Sequence, residues 1–407
     1  FKLIEIKAYY YSTKILYMAF MLILYLGDPM KIKYLLAGFI IFLMMLTPVF
    51  GQHRDVIWEQ RYDGGLEDMA YSVAIDSEDN VIVTGTSRDI TRRDRDFYTI
   101  KYDKNGNAIW EKRYNVGIRD ESYDVAVDSK DNIVIVGTAS GKYFIIKYDK
   151  NGELIWTNSP SRGNDDVAYG VAIDSEDNIL ITGRTKLVVY NYYTLKFDKD
   201  GNMLWRAMWT GGEDDVPYGI AVDSKDNVIV TGFSSNGKEH KGRGDYTYYT
   251  FKYDKEGNKL WHGKWATSYP YAEAYGVATD SKDNVIVTGF VMIGNKYHFC
   301  TIKSDPDGKI IWDKVYKRSD YDRAYDVTVD LNDNILVTGV TYVGGTNYGF
   351  CTIKYNSKGE LLWEKIYNDG RNDQANAIAV DSENNIIVTG GSDTKTWDFL
   401  TIKYRNR

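Results

Sequence analysis

A unit of about fifty residues recurs seven times along this chain of 407 residues. Each copy holds four short apolar runs separated by polar turns, and one tryptophan marks the same phase in every copy. These marker tryptophans lie 46 to 56 residues apart and are Trp58, Trp110, Trp156, Trp205, Trp261, Trp312 and Trp363. A period of this length with four strand-like runs is typical of one propeller blade. The sequence therefore predicts an all-β fold, a seven-bladed β-propeller of four-stranded antiparallel blades.

Two turns of each copy are nearly constant, whereas the other two connections vary. Residues 76–80, Asp-Ser-Glu-Asp-Asn, form the first constant turn, and residues 103–106, Asp-Lys-Asn-Gly, form the second. Asp and Asn hydrogen-bond the backbone of a bend, and Gly accepts the positive φ of a hairpin bulge. Both constant turns fall on one side of the disc, so the variable connections, such as 86–95, 233–247 and 340–348, lie on the other. Because loops on a rigid frame usually carry binding, we expect any ligand on this variable face.

The two ends of the repeat array are offset by one strand, which predicts how the ring closes. The first marker strand, residues 55–62, precedes any complete copy, and the last copy stops after its third strand, residues 399–404. We expect the leading strand to complete the last blade, because this pairing removes an exposed sheet edge. An open solenoid would need polar capping repeats, and neither end of the array has one.

Residues 1–51 form a hydrophobic N-terminal segment, and residues 52–407 form the predicted propeller. From Met30 the segment has a basic start, an apolar core and small residues up to Gly51, which is the pattern of a secretory signal peptide. We interpret residues 1–29 as an upstream non-native stretch or as part of a membrane anchor. The expectation is an exported prokaryotic protein, secreted or on the cell surface, that meets a membrane only through this segment if it stays uncleaved.

Charge and cysteine content argue against two classes of protein. The formal net charge of -7 disfavours a nucleic-acid partner, which would require a basic surface. The two cysteines, Cys300 and Cys351, fall in different copies at an apolar strand position. We therefore expect two buried thiols that are too far apart to bond, and no disulfide framework. The expected assembly is a monomer.

Several strings within the copies resemble a known repeat. Residues 170–174 read Gly-Val-Ala-Ile-Asp and are followed by Ile-Thr-Gly at 181–183, and residues 193–198 read Tyr-Thr-Leu-Lys-Phe-Asp. They resemble the SBBP repeat of bacterial and archaeal β-propellers, and the likeness covers about 350 residues, from Asp55 to Tyr404. The resemblance implies an exported or cell-surface protein, often joined to other extracellular modules. It implies no catalytic residue set.

Residues 253–261 also resemble the tryptophan motif of quinoprotein and outer-membrane assembly propellers. In those families Thr-Gly usually precedes a lysine, where this chain has Glu-Gly-Asn, and the quinoprotein enzymes commonly carry an adjacent cysteine pair. Cys300 and Cys351 do not form such a pair. A quinone cofactor is therefore not expected, and neither is any other cofactor.

Positions that differ between copies are the candidates for ligand contact, because positions shared by all copies serve the blade itself. Tyrosines cluster in the variable loops of the later copies. A tyrosine offers a flat apolar ring with a hydroxyl group, which glycan- and protein-binding surfaces use. The candidate ligand-binding residues are Tyr190, Tyr246, Tyr269, Tyr271, Tyr297, His298, Tyr342 and Tyr348. The alternative is a tyrosine-rich surface without a ligand.

Two shared charged positions have both a functional and a structural interpretation. Six aspartates precede the phase of Tyr71 by three residues and are Asp68, Asp120, Asp166, Asp215, Asp322 and Asp373. They could ring the channel mouth and attract a cation, or cap the turn that enters the innermost strand; we prefer the turn cap. A lysine recurs in each third strand, as at Lys101, and we expect it to pair with a turn aspartate. No metal site is predicted.

No catalytic constellation is evident. The four histidines, His53, His240, His262 and His298, stand apart, which argues against a zinc centre or a Ser-His-Asp triad. The predicted function is a non-catalytic binding or scaffold module that takes an extracellular glycan, peptide or protein on the variable face. One alternative is a carbohydrate-active hydrolase or lyase that uses carboxylates at the channel mouth. Another is an envelope-assembly scaffold resembling quinoprotein-like propellers.

Overall fold

The computed structural model describes residues 55–211, 213–240, 243–393 and 395–407. Within these ranges the chain forms twenty-eight β-strands and no helix, arranged as seven four-stranded antiparallel sheets. Across the same ranges, no helical segment has the length and apolarity that a membrane span requires. The predicted fold class is confirmed, whereas the hydrophobic segment 1–51 lies outside the described residues.

Each sheet is one blade, and its strands follow one another from the centre outward. Blades 1 to 3 consist of β2 (Asp68–Ile75), β3 (Val81–Arg88), β4 (Arg95–Tyr102) and β5 (Ala108–Tyr114); β6 (Asp120–Val127), β7 (Ile133–Ala139), β8 (Lys142–Tyr148) and β9 (Leu154–Asn158); and β10 (Val167–Ile173), β11 (Ile179–Lys186), β12 (Tyr190–Phe197) and β13 (Met203–Trp209).

The remaining blades repeat this order. Blades 4 to 6 consist of β14 (Asp215–Val222), β15 (Val228–His240), β16 (Arg243–Tyr253) and β17 (Lys259–Trp265); β18 (Ala272–Thr279), β19 (Val285–Ile293), β20 (Lys296–Ser304) and β21 (Ile310–Tyr316); and β22 (Asp322–Val329), β23 (Ile335–Gly344), β24 (Asn347–Tyr355) and β25 (Leu361–Tyr367). Blade 7 consists of β26 (Asp373–Val380), β27 (Ile386–Asp393), β28 (Trp397–Tyr404) and β1 (Val56–Tyr62).

The leading strand β1 closes the ring as the sequence predicts. It pairs antiparallel with β28, with Tyr62 opposite Phe399 and Trp58 opposite Lys403. The inner strands β2 and β26 of the first and last blades also pack together. The Trp58 side chain donates from Nε1 to the carbonyl oxygen of Lys104 in blade 1 at 3.1 Å. The ends of the array are thus joined by the same contacts that join consecutive blades.

The core of the protein lies between blades, and the two middle strands of each blade are buried on both faces. Seven apolar clusters of buried side chains each bridge one pair of neighbouring blades. The cluster between blades 7 and 1 contains Trp58, Val83 and Phe399. Middle strands such as β3 are therefore continuous runs of apolar and threonine residues, as expected when both faces are covered. Outer strands such as β13 alternate between exposed and half-buried positions.

A buried lysine in each blade ties the first constant turn to the next blade. In blade 1, Lys101 Nζ lies 2.8 Å from Asp76 Oδ2 and donates to the carbonyl oxygen of Lys150 at 3.1 Å. The pairing recurs as Lys147–Asp128, Lys196–Asp174, Lys252–Asp223, Lys303–Asp280, Lys354–Asp330 and Lys403–Asp381. Burial opposes ionisation of these aspartates, but the bonds from Lys354 and Asn334 nevertheless lower the pKa of Asp330 to about 2. The predicted pairing of this lysine with a turn aspartate is confirmed.

A β-bulge occurs at one position in every inner strand. In blade 1, Ala70 lies opposite Gly85 and Ser72 opposite Thr84, so Tyr71 is the extra residue between them. A side chain on Gly85 would place its Cβ 2.0 Å from the carbonyl oxygen of Met69, which explains the glycine that each copy has there. The bulge residues of the other blades are Tyr123, Tyr169, Tyr218, Tyr275, Tyr325 and Asn376. A bulge re-aims side chains, and here the re-aimed side chains line the centre of the ring.

Candidate functional sites on the variable face and in the channel

Five of the eight tyrosine and histidine candidates lie in one continuous strip of aromatic rings across blades 4 to 6. We call this strip the aromatic ridge; its members are Tyr246, Tyr271, Phe290, Tyr297, Tyr321, Tyr342 and Tyr348. Neighbouring ring centroids along it are 4.8 to 5.9 Å apart. All members except the buried Phe290 are half-buried. The ridge therefore presents ring surface and hydroxyl groups on the variable face.

Arg323 reinforces the middle of the ridge. Its guanidinium carbon lies 4.5 Å from the ring centroid of Phe290, 4.4 Å from that of Tyr297 and 4.8 Å from that of Tyr321. A guanidinium at this distance from an aromatic face is attracted by the ring quadrupole. The arginine thus holds rings from blades 5 and 6 in a fixed arrangement.

Backbone contacts between blades hold the ridge in place. Isolated parallel bridges join Tyr246 to Tyr271 and Tyr297 to Tyr321. The backbone N–H of Tyr297 donates to the carbonyl oxygen of Asp320, and that of Tyr342 donates to Tyr321, both at 3.1 Å. Blades 4 and 5 are thus each bonded to the loop that enters the next blade, and the bond from Tyr342 holds the entry loop of blade 6 to that blade. The rings are therefore arranged before any ligand arrives.

Three candidates lie away from the ridge. Tyr190, on blade 3, stacks with Arg184 at 4.3 Å and donates its hydroxyl to Asp165 Oδ2 at 2.6 Å. Tyr269 lines a separate cavity of about 200 Å³ beside blade 4, together with Tyr246 and Lys264. His298 is buried, and its Nδ1 lies 3.5 Å from Asp322 Oδ2. The structure therefore places His298 inside blade 5 rather than on the variable face.

All six aspartates that precede the inner strands are fully buried, and they cap turns. Their carboxylate oxygens accept backbone N–H groups of the preceding loop at 2.6 to 3.1 Å, as from Gly64 to Asp68 and from Val116 to Asp120. Burial raises the pKa of Asp373 to about 6. None of the six lines the central cavity, so the arrangement fits the turn-cap interpretation rather than the ring at the channel mouth.

One of these aspartates also belongs to a group of three carboxylates. Among the described residues, Asp63, Asp68 and Asp398 bring carboxylate oxygens within 4.8 Å of one another. Oxygen ligands of this kind suit hard cations. Asp68, however, already accepts the N–H of Gly64 at 2.6 Å and occupies the turn-cap position found in five other blades. The group is therefore explained by the blade itself.

The bulge residues form a collar of tyrosines around the channel, which the sequence analysis did not single out. Consecutive ring centroids from Tyr71 through Tyr123, Tyr169, Tyr218 and Tyr275 to Tyr325 are 4.6 to 5.4 Å apart. Asn376 takes the seventh position and donates to the carbonyl oxygen of Ala70 at 2.7 Å. Within the collar lies a cavity of about 290 Å³.

In six of the seven blades the residue after the bulge also lines this cavity, and in two of them it is an aspartate. The other cavity-lining residues at this position are Ser72, Gly219, Gly276 and Ala377. Asp124 accepts the hydroxyl of Ser72 at 2.6 Å and the N–H of Val171 at 2.7 Å. Asp326 accepts the N–H groups of Val327 at 2.8 Å and Ile378 at 2.9 Å. Each carboxylate thus bonds the backbone of the following blade.

Both channel aspartates have raised pKa values. Burial raises the pKa of Asp124 to about 6 despite its hydrogen bonds. Burial likewise raises the pKa of Asp326 to about 7, and the negative charge of Asp124 adds to this shift. Among the described residues, no lysine, arginine or histidine forms an ion pair with either carboxylate, although buried charges in proteins are usually paired. Above about pH 7 the cavity therefore carries negative charge that no basic side chain of the described residues compensates.

The chain is similar in structure to solved proteins of low sequence identity. A catalytically inactive virginiamycin B lyase from Staphylococcus aureus, solved with quinupristin, aligns with a TM-score of 0.56 and 13% identity over 84% of this chain and 99% of that one. An ulvan lyase of a new polysaccharide lyase family aligns with a TM-score of 0.56 and 10% identity over 85% of this chain and 96% of that one. At these identities the likeness concerns the fold alone.

Sequence comparisons give a family. The chain is 36% identical over 106 residues to an uncharacterized WD repeat-containing protein of Acanthamoeba polyphaga mimivirus, a match that covers 22% of this chain and 8% of the viral protein. A family profile described as outer membrane protein assembly factor BamB matches residues 145–389, which is more than half of the chain. The chain therefore belongs to the family described as outer membrane protein assembly factor BamB.

Proposed function

We propose that this protein is a non-catalytic binding and scaffold propeller of the cell exterior, which takes an extracellular protein or glycan on its aromatic ridge. The observation that carries the proposal is the continuity of the ridge: rings from three blades follow one another at centroid distances below 6 Å, and one arginine contacts those of blades 5 and 6. Contiguous exposed aromatic surface on one face of a protein is typical of an interaction site.

The residue types and their rigidity support binding. Tyrosine and arginine are over-represented among the residues that contribute most to binding free energy. Because the ridge loops are bonded to the next blade, little side-chain and loop entropy is lost when a partner binds. Tyr297 and Tyr348 contribute ring surface from two adjacent blades and are both half-buried. A partner that spans blades 5 and 6 would contact both rings.

The likeness of the repeat strings to the SBBP repeat supports an exported or cell-surface location. This inference extends the resemblance of residues 170–174 and 193–198. The signal-like pattern from Met30 to Gly51 supports the same location. Sequencing the N-terminus of the exported protein would test both: a mature start near Gln52 is expected.

A carbohydrate-active enzyme is the weaker alternative. Hydrolysis of a glycosidic bond usually requires two carboxylates that flank the substrate. The six carboxylates considered for this role, of which Asp215 is one, are completely buried and accept turn N–H groups. Turnover of a polysaccharide that is abolished by Asp215→Asn, with the fold retained, would favour the enzyme instead.

A role in envelope assembly is the second candidate, and family membership favours it. Proteins of the matching family are described as outer membrane assembly factors, and a rigid ring with one variable face suits the docking of partner proteins. Cell fractionation distinguishes the two candidates. Retention with the envelope supports the assembly role, whereas free release into the medium supports an independent binding module.

The ridge is tested by substitutions that remove ring surface without touching the core. We expect Tyr297→Ala and Tyr348→Ala each to weaken binding to a ligand found on glycan and extracellular-protein arrays by about tenfold, because central tyrosines contribute about 1–2 kcal/mol or more. The readout is the dissociation constant from surface plasmon resonance. Tyr190→Ala is the matched control, since Tyr190 lies on the same face but outside the ridge.

Two outcomes contradict the proposal. If the ridge variants bind as tightly as the parent while Tyr190→Ala binds more weakly, the ligand site lies on blade 3. If no array ligand binds the protein at all, the variable face is not a recognition surface for glycans or for the proteins displayed.

A further inference from the structure

We propose that the central cavity is a binding site for a small organic ammonium ion, surrounded by the tyrosine collar and paired with the carboxylates of Asp124 and Asp326. This site is distinct from the aromatic ridge. Its walls are the bulge residues and the residues that follow them, whereas the ridge is formed by loops of blades 4 to 6.

The negative charge of the two ionised aspartates favours the binding of a cation in the cavity. Asp124 and Asp326 come from blades 2 and 6, nearly opposite each other in a ring of seven. Neither forms an ion pair with a basic side chain of the described residues. Outside the cavity lining, Glu273 and Glu121 accept the hydroxyls of Tyr275 and Tyr123 at 2.6 Å, and Glu121 is paired with Arg95 and Arg119. A buried, ionised carboxylate without a cationic partner is costly in free energy, and a bound cation would reduce this cost.

The collar indicates what kind of cation fits. Aromatic rings attract cations over their faces, and cages of such rings recognise quaternary ammonium groups. Six tyrosines stand in one layer around the axis, each within 5.4 Å of the next. Such a ring can surround an alkylated nitrogen, and its electron-rich phenol rings suit a diffuse positive charge.

A hard metal ion fits less well. Calcium takes six to eight oxygen ligands at short range. The oxygens of Asp124 already receive three donors, from Ser72, Val125 and Val171, at 2.6 to 2.9 Å, and those of Asp326 receive two. An ammonium group pairs with these carboxylates through charge without displacing their hydrogen bonds.

The size of the cavity limits the ligand. Its 290 Å³ lies at the lower end of ligand-binding pockets, about 300–1,000 Å³. Gly219 and Gly276 also line the cavity, and a Cβ at these positions would meet the inner strand of the next blade at 2.6 and 2.9 Å. The structural alternative is that both aspartates serve only to bond the next blade. A blade that has glycine after the bulge residue lacks a side-chain bond to the next blade. This bond is therefore not required in every blade, and it does not by itself explain the two aspartates.

The test is calorimetric titration of the full chain at about pH 8, above the pKa of about 7 for Asp326. Choline chloride is compared with its uncharged isostere, in which carbon replaces nitrogen, and with sodium and calcium chloride at equal ionic strength. We expect saturable choline binding with a dissociation constant of about 1 mM or lower, as for a fragment-sized ligand. The uncharged isostere should bind at least about tenfold more weakly, because cation–π attraction and charge pairing are lost.

Variants place the site. Asp124→Asn with Asp326→Asn should weaken choline binding at least about tenfold, and Tyr275→Leu several-fold, whereas Tyr348→Leu on the ridge should leave it unchanged. The comparison of choline with its isostere needs no variant, so it remains decisive if a substitution prevents folding.

The contrary outcomes are equally specific. Equal affinity for the isostere would show an apolar cavity, and displacement of choline by millimolar calcium would show a metal site. Preferential binding of a neutral methyl glycoside would show a sugar site. Choline binding that survives the double aspartate substitution would place the ligand elsewhere. Each of these results would overturn the proposal, and none of them bears on the aromatic ridge.

Discussion

Asp326 shows how one residue can matter both to stability and to the chemistry of the channel. Its carboxylate accepts two backbone N–H groups, yet burial and the charge of Asp124 raise its pKa to about 7. In the unfolded chain an aspartate has a pKa of about 3.9. Folding therefore favours the protonated form, and the ionised form weakens the fold.

The consequence for the pH dependence of stability has a definite sign. The stabilising contribution of the protonated group is complete below about pH 4 and is lost as the pH rises through about 7. We expect the free energy of unfolding of the parent to fall by about 2 kcal/mol, relative to Asp326→Asn, between about pH 5.5 and about pH 8.5. Denaturant titrations of both proteins at each pH measure this difference. The other titrating groups are common to both proteins and cancel, apart from Asp124, whose charge is coupled to that of Asp326.

Parallel pH profiles for the two proteins would show that folding does not raise the pKa of Asp326. Asp326→Asn is compared with the parent only through its pH dependence. A difference in the free energy of unfolding that is the same at every pH, caused by the amide at this position, therefore does not affect the result.

At the scale of the element, the first constant turns form a ring of their own on the face opposite the ridge. In six of the seven blades a turn serine donates its N–H and hydroxyl to the aspartate of the next turn: Ser77 to Asp131, Ser129 to Asp177, Ser175 to Asp226, Ser224 to Asp283, Ser281 to Asp333 and Ser382 to Asp79. These aspartates have φ near 60°, a conformation that Asp tolerates in turns. Blade 6 departs from the pattern, because Leu331 replaces the serine and contacts Asn384 through its N–H alone.

Restoring the pattern in blade 6 should stabilise the protein. Leu331 is 69% exposed, so its replacement forfeits little apolar burial. We expect Leu331→Ser with Asn384→Asp to raise the free energy of unfolding by about 0.5–1 kcal/mol, the net value of one hydrogen bond. Denaturant unfolding monitored by tryptophan fluorescence measures it. Ser129→Leu is the matched reverse change and should lower stability by a similar amount; an unchanged midpoint in both variants would show that the turn ring contributes nothing.

The inner strands explain what the sequence could and could not predict. The repeat, the residues of its turns and the one-strand offset of the array predict the blades and the closure of the ring. All three features can be read from the amino-acid sequence. The tyrosines of the collar can also be read from the sequence, since the phase of Tyr71 holds a tyrosine in most copies. A position shared by most copies, however, predicts a role in the blade itself rather than in ligand binding. That Tyr325 and Asp326 both face the channel depends on a bulge, which changes the alternation of strand side chains and leaves no local sequence signal.

The sequence predicts the residue types of the ridge but not all of its members. The variable loops predict Tyr246, Tyr271 and Tyr297 as candidates. Tyr321 directly precedes the inner strand β22 and Arg323 lies within it, so neither position is predicted as part of a variable loop. They reach the ridge because each loop packs on the strand entry of the next blade, a contact between residues of different copies. The prediction that His298 contacts a ligand together with its neighbour Tyr297 neglects the alternation of a strand, in which adjacent residues point to opposite faces.

At the scale of the whole molecule, the ring is closed inside blade 7, where β1 pairs with β28, and the chain then runs from β1 into β2 of blade 1 as it does between the other blades. Blade 7 lacks the second constant turn, because its outer strand comes from the start of the array. In blade 6, accordingly, Lys354 donates to the Asn406 side chain at 2.8 Å instead of a turn carbonyl. Elsewhere the lysine meets a backbone carbonyl of the next blade, as Lys403 meets Lys104 at 3.3 Å.

Removal of β1 should therefore destabilise the entire ring. A chain that starts at Asp63 is compared with one that starts at Asp55. The shorter chain should lose about 3 kcal/mol or more, since loss of a buried tryptophan such as Trp58 alone costs about 3–5 kcal/mol, and its exposed β28 edge should promote association. Thermal unfolding and light scattering measure the two effects. A synthetic peptide of residues 55–62 should restore both, and a shorter chain that remains equally stable and monomeric would refute closure by this strand.

The recurrent bulge has a consequence for how such a protein can change over evolutionary time. Because it turns side chains inward, the interior chemistry of the pore is set by one short segment per blade, which packs against the inner strand of the following blade. Exchange of Gly-Val for Asp-Val after a tyrosine is enough to introduce a charge. Selection can thus alter what the pore accepts while the frame around it is inherited intact.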